Sequence, residues 1–411
     1  MLLQTSPKMY RRVPEHDYPL LITGGEFIFK ETAPAGDYRY LGMGGDTTFD
    51  DITISVGQAS DLYYLYAQGH KLTFGEGVVC EPFVGSSGSN HYFNISGGKK
   101  GGGTVATTDI TIKGGRFTTV YAADYTGKVT ERAQVSLSDC RVYRLAVSYI
   151  GITQADVYMQ LQNVTIGKEI SCGNRKSNNV EGNVTLVLGE NITAPQNSIF
   201  AGSLSGGNIL GTVTVVADGI DLAANPILGK ANNTSGTIGG LKLVVNKGEL
   251  ADVADSFVTR DGVEIVLGCD QTKAATLNYS CNLDLAGHDA AITVATGKTL
   301  TVCDTTDGEL GVLAATGTTA PAEGYQEIAV TGGKSYPKQG ASLAVPGDMD
   351  GDSDMDTDDA VYLLLNTMFG EEDYPIVAAQ NRDVNKDGKL DTDDAVYLLL
   401  HVMFGVEDYP I

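Results

Sequence analysis

With 411 residues the chain is long enough for two or more domains, and its 51 acidic residues against 28 Lys and Arg leave a net charge of −23. That balance excludes the basic surface which nucleic-acid partners demand, and no apolar run reaches the ~18 residues of a membrane span. The six cysteines, Cys80, Cys140, Cys172, Cys269, Cys281 and Cys303, form no C-x-x-C pair, which excludes a zinc ribbon and a dense disulfide framework. Buried thiols are the expectation, with one disulfide among the last three as the alternative. In chain order, Met1 to Leu20 lacks the apolar core of a secretion signal, because Arg11, Arg12, Glu15, His16 and Asp17 interrupt it.

From Pro19 to about Gly308 one pattern recurs. Short alternating runs such as Leu20-Leu-Ile-Thr, Ile110-Thr-Ile-Lys, Val184-Thr-Leu-Val-Leu and Val263-Glu-Ile-Val-Leu end in glycine or small polar corners. Alternation of Val, Ile and Leu with Thr, Ser and Asn signals half-buried strands. Along Ile112, Leu137, Leu161, Leu186, Val215 and Leu243 the steps are 25, 24, 25, 29 and 28 residues. Hairpins would repeat at about 8–12 residues, whereas two dozen suits one coil of a solenoid with several strands per turn. No helical stretch of useful length precedes residue 340, which excludes βαβ folds. The expected fold class is mainly β, a right-handed parallel β-helix (solenoid) over residues 1–315, with a pair of β-sandwiches as the alternative. Residues 316–346, rich in Thr, Ala, Pro and Gly, are expected to supply a cap and linker, with one strand at Gln326 to Val330.

Residues 347–411 form the second domain and write one acidic unit twice, Asp383 following Asp348 by 35 residues. Oxygen side chains fall at loop positions 1, 3, 5, 9 and 12: Asp348, Asp350, Asp352, Asp356 and Asp359, then Asp383, Asn385, Asp387, Asp391 and Asp394. A 12-residue loop wraps Ca²⁺ with that spacing, and position 7, Asp354 or Lys389, contributes its backbone carbonyl. Gly388 suits the sharp turn at position 6; Ser353 does not, which marks the first loop as the weaker site. Helices should begin near Thr357 and Thr392. Ala360, Val361, Leu364, Leu365 and Met368, repeated as Ala395, Val396, Leu399, Leu400 and Met403, should form one apolar face on each.

These loop-then-helix repeats resemble a type I dockerin, the calcium-dependent plug by which bacterial proteins attach to cohesin modules of a scaffoldin. The resemblance covers the last sixth of the chain. It implies two bound Ca²⁺, the ligand roles just given, and partner contacts from loop positions 10 and 11, here Thr357 with Asp358 and Thr392 with Asp393. It also implies export to the cell surface or beyond, so the first residues of the natural protein are expected to be missing from this sequence. Upstream, Asn282-Leu-Asp-Leu-Ala-Gly-His and Lys298-Thr-Leu-Thr-Val-Cys-Asp resemble the coils of pectate-lyase-like β-helix proteins.

An active site is harder to find. No Asn-Thr-Asp, Gly-His-Gly or Arg-Ile-Lys signature occurs, and His288 reads as a corner residue. Asp50 and Asp51 are adjacent, so on a strand they point to opposite faces and make a poor acid–base pair. Arg132, Arg141, Arg144, Asp139 and Asp156 fall in consecutive coils, as a charged groove or a solvated face. With no tryptophan, Tyr63, Tyr64, Tyr66, Tyr121, Tyr125 and Tyr149 remain for stacking on sugar rings. Asn163, Asn183 and Asn191 read as corner and strand residues rather than glycan acceptors. The catalytic residues are therefore unknown. Two functions compete: a noncatalytic subunit that binds or displays toward polysaccharide or a cell surface, or a polysaccharide lyase or glycoside hydrolase acting on pectin or hemicellulose.

Overall fold

A computed structural model describes residues 15–29, 39–56, 63–84, 90–99, 101–230, 236–306, 308–339, 347–351, 355–376, 382–405 and 408–409. The candidate ligands Asp352 and Asp354, and Ser353 between them, lie outside these residues.

Residues up to Pro321 build a parallel β-solenoid. Its spine is a long sheet in which Leu20–Thr23, Thr47–Asp50, Lys71–Phe74, Thr104–Ile112 and the strands that follow stack in parallel as far as Thr318–Pro321. Alternation produces this directly: Asp156–Gln162 buries every second residue, and Val157, Met159 and Leu161 enter the core. The expected coil markers pair in register, Ile112 with Leu137, Leu137 with Leu161, Leu186 with Val215 and Val215 with Leu243. One step differs. Leu161 pairs with Leu188 rather than Leu186, because that coil is two residues longer; an even shift keeps the same face inward.

A second, eight-stranded parallel sheet makes another wall, running through Arg39–Gly42, Tyr63–Tyr66, Asn94–Ser96, Arg116–Tyr121, Arg141–Ala146, Thr165–Ser171, Ile199–Phe200 and Ile227–Leu228. Corners between walls use left-handed backbone at Asp139, Asn163 and Asn191, with φ of 50°, 54° and 56°. The Asn191 side-chain amide donates to Asn163 Oδ1 at 2.9 Å, and that of Asn163 donates to Asp139 Oδ1 at 3.1 Å. Asn and Asp tolerate this conformation, so the row stacks coil upon coil as a corner ladder. Stacked aromatics fill the early coils; Phe49 and Phe74 lie 5.5 Å apart at 10°.

The far end is closed by an antiparallel pair, Ile328–Val330 with Gly333–Ser335, the latter also pairing with Leu313–Thr316. Tyr336 beside it is fully buried. Before the tail the described residues hold only a 3₁₀ turn, Leu250–Asp252, and a four-residue helix, Ala254–Phe257. All six cysteines are unpaired thiols. Burial pushes Cys80, Cys140, Cys172 and Cys281 up to about 12, which keeps them inert. No helix among the described residues is long and apolar enough to cross a membrane.

The tail has its own small core of Met349, Ala360, Leu363, Ile376, Val384, Ala395 and Leu398. Its helices span Thr357–Phe369 and Thr392–Phe404, beginning where the spacing predicts.

Candidate functional sites: twin acidic loops and a basic groove

Each tail helix opens on a capping box. Asp356 accepts from the Asp358 amide at 2.6 Å, while Asp359 accepts from the Asp356 amide at 2.7 Å. In the second copy Asp391 accepts from Asp393 at 2.9 Å, and Asp394 from Asp391 at 3.0 Å. These bonds satisfy amides that a helix start leaves unpaired, and they fix the last position of each loop against its helix.

In the first loop, carboxylate oxygens of Asp348, Asp350 and Asp359 come within 4.8 Å of one another. Asp348 and Asp359 are each only 1% exposed. Backbone amides already meet two of the three, Met349 and Asp356 donating to Asp359 and Gly351 to Asp348, and an oxygen-only set is of the kind that suits a hard divalent ion. The second loop shows no such carboxylate trio among the described residues, its third position being Asn385. Its side chains fold the loop instead. Asp383 accepts from the amides of Asp387 and Gly388 at 3.0 and 2.9 Å, and Asp387 accepts from Lys389 at 2.9 Å. Gly388 has φ of 84°, as the turn at position 6 requires.

The apolar face expected on each helix divides. Ala360, Leu363 and Asn366 turn inward, as do Ala395, Leu398 and His401. Val361 and Met368 are 51% and 61% exposed, and Val396 and Met403 are 53% and 60% exposed. Helical spacing puts Thr357, Val361, Leu365 and Met368 along one outer stripe. Thr392, Val396, Leu400 and Met403 repeat it. Asp358 and Asp393 are exposed beside them. Asn366 donates to the Tyr374 carbonyl at 2.6 Å, and its counterpart His401 meets that of Tyr409.

On the solenoid, the expected charged cluster separates. Arg132 pairs in register with Asp156 on the long sheet, and Asp139 belongs to the corner ladder. Arg141 and Arg144 instead join a groove of about 700 Å³ over the eight-stranded sheet, with Arg116, Lys168, Arg175 and Tyr143. The Arg144 guanidinium is buried against Glu169. Parallel register builds a row across coils here: Tyr64, Asn94, Thr119, Arg144 and Glu169 lie side by side. Sequence reading missed Arg116, Lys168 and Arg175; the 25-residue pairing of Arg116 with Arg141 was the signal that could have found the first.

The tyrosines divide as strand geometry demands. Tyr63 enters the core, while Tyr64, Tyr66 and Tyr121 cluster outside it with Tyr125 and Tyr149. Tyr125 and Tyr149 stack at 4.5 Å and 1°. Arg175 lies 5.3 Å above the Tyr149 ring and donates to the Tyr121 hydroxyl at 3.3 Å. Burial pushes the Tyr64, Tyr66 and Tyr121 hydroxyls well above their ordinary range, so they stay protonated. His288 sits at a corner with Nδ1 3.1 Å from Asp270. Asp51, left-handed with φ of 46°, donates its amide to Asp50, so that pair is a turn.

No protein-family model, curated protein or solved structure matches the chain.

Proposed function

We propose that the protein is an extracellular subunit of a cellulosome-like assembly. Its tail is a dockerin that folds around two Ca²⁺ and plugs into a cohesin module of a scaffoldin, and its solenoid binds or displays toward polysaccharide. The observation that carries this reading is that the 35-residue repeat persists in three dimensions. Each copy runs from acidic loop to capping box, to a helix exposing the same threonine-headed apolar stripe, to a tyrosine held by Asn366 or His401. A solvated acidic surface requires none of that correspondence.

In this proposal Asp348, Asp350 and Asp359, with Asp352, Asp356 and the Asp354 carbonyl, hold the first ion. Asp383, Asn385, Asp387, Asp391, Asp394 and the Lys389 carbonyl hold the second. Calcium would neutralise a segment that carries 17 acidic residues against 3 basic ones from Pro346 to Ile411. The chain's own side chains do the rest. The capping boxes orient the helices, and the stripes beginning at Thr357 and Thr392 present apolar surface to the cohesin. Two equivalent stripes allow two related docking orientations.

Among the described residues no carboxylate lines the groove, so those residues offer no acid pair for hydrolysis there. The solenoid is therefore read as a binding element. Passing the full chain over immobilised type I cohesins tests the docking claim. Retention in calcium and release in chelator are expected; no retention on a panel of cohesins overturns it. Release of reducing or unsaturated sugars from pectin or hemicellulose would convert the solenoid into an enzyme.

A further inference from the structure

We infer that the groove over the eight-stranded sheet is a binding site for an acidic polysaccharide, whose carboxylates are received by Arg116, Arg141, Lys168 and Arg175. The inference rests on the glycan-facing reading of the solenoid and is independent of the tail.

Charge is the first argument. Acids outnumber bases 51 to 28 in the chain, yet among the described residues five cations and no carboxylate line this groove. Arg144 is neutralised by Glu169. Arg116, Arg141 and Lys168 are exposed, and no carboxylate among the described residues pairs with their side chains. Arg175 contacts rings and a hydroxyl rather than an acid. Cations gathered without counter-charge repel one another; a bound anion removes that cost.

Geometry is the second. Arg116 and Arg141 occupy the same register position on neighbouring coils, and hydrogen-bonded strands stack about 4.8 Å apart. A repeating polymer laid along the solenoid axis therefore meets two guanidinium groups one coil apart, with Thr165 in register on the following coil and Lys168 further along that strand. A planar guanidinium fork matches a carboxylate bidentately. Between these cations the Tyr143 ring is 45% exposed and is allowed close to the backbone by Gly167, where a Cβ would lie 2.8 Å from the ring. An aromatic face beside hydrogen-bonding cations suits a sugar ring with a charged substituent.

Charge density separates glycan from nucleic acid. Duplex DNA carries one negative charge per ~1.7 Å, and a protein of net charge −23 disfavours so dense a polyanion. A polyuronate, with one charge per sugar, is sparser and carries ring faces and hydroxyls that match the lining.

Affinity electrophoresis of the full chain tests this with polygalacturonate, the same polymer after carboxyl reduction, dextran sulfate, a neutral xylan, polyglutamate and a single-stranded oligonucleotide. Polygalacturonate should retard the protein, and carboxyl reduction should abolish the effect. The Arg116→Gln/Arg141→Gln variant should weaken retardation roughly thirtyfold or more, because two charge-assisted bonds are lost. Both side chains are exposed, so unchanged β-type circular dichroism is expected; Arg116→Lys/Arg141→Lys, which keeps the charge, should retain much of the binding. Equal retardation by the reduced polymer or by xylan overturns the acidic assignment while the glycan-facing reading stands. Retardation by dextran sulfate alone replaces carboxylate by sulfate and overturns it too. Preference for polyglutamate or the oligonucleotide makes the groove a polypeptide or nucleic-acid site. Retardation by nothing in the series removes both readings.

Discussion

Asp359 reaches back ten residues to accept the amide of Met349 at 2.6 Å. The last residue of the first acidic loop is thereby tied to the second, while its other oxygen caps the helix through Asp356 at 2.7 Å. Asp359→Ala removes both ties. It should lower the stability of the tail by about 1–3 kcal/mol, the range of a lost cap and a buried amide left unpaired. Asp394→Ala should act alike through Asp391 and Asn385. Thermal unfolding followed by helical circular dichroism should show the loss in the tail transition alone; an equal shift of the β transition would contradict the separation of the two cores.

The twin stripes predict redundancy. Val361→Glu or Val396→Glu alone should leave cohesin binding nearly intact, because the other helix can dock. The double variant should lose at least about thirtyfold, as expected when a buried apolar contact worth about 2 kcal/mol is replaced by a charge. Titration calorimetry of the full chain with cohesin separates these outcomes. Full loss from one single variant would mean that only one orientation is used.

These variants also show what the sequence made legible. The long sheet could be read because one face of each strand is core and the other is wet: Val184–Leu188 buries Val184, Leu186 and Leu188. The eight-stranded sheet could not. Tyr63–Tyr66 is buried on both faces and shows no alternation, and in Arg141–Ala146 the core residues Val142 and Leu145 are three apart, with Tyr143 and Arg144 between them both lining the groove. The groove was hidden with it. In the tail, loop spacing and helix starts were readable because capping chemistry is local. The inward face was not, since Ala-Val-Tyr-Leu-Leu-Leu offers apolar residues at every angle. Packing between the helices chose Leu363 and Leu398.

In the solenoid, Leu186 is wholly buried between Met159 and Val215 of the adjoining coils. Leu186→Ala should cost about 2–5 kcal/mol through lost burial and a residual cavity. The chemical-denaturation midpoint of the β signal reports it, and a cost below about 1 kcal/mol would count against a tightly filled interior.

Asp124 is buried beneath the tyrosine cluster, and burial pushes its carboxyl up to about 6 despite amide bonds from Tyr125 and Lys99. A raised acid binds more protons folded than unfolded, so its penalty is absent below the unfolded value near 3.8, grows between 3.8 and about 6, and is complete above. Asp124→Asn should therefore gain on the parent as pH rises through that window, by on the order of 2–3 kcal/mol at most. Stability curves for both proteins at acid and neutral pH provide the check; a constant difference would refute a titrating Asp124.

The most direct measurement is calorimetric titration of the metal-stripped full chain with Ca²⁺, read together with helical circular dichroism. The account predicts uptake of two ions per chain, with the tail helices gaining order as the sites fill and the β signal unchanged. Absence of calcium uptake, or helices equally stable in chelator and in calcium, would contradict it.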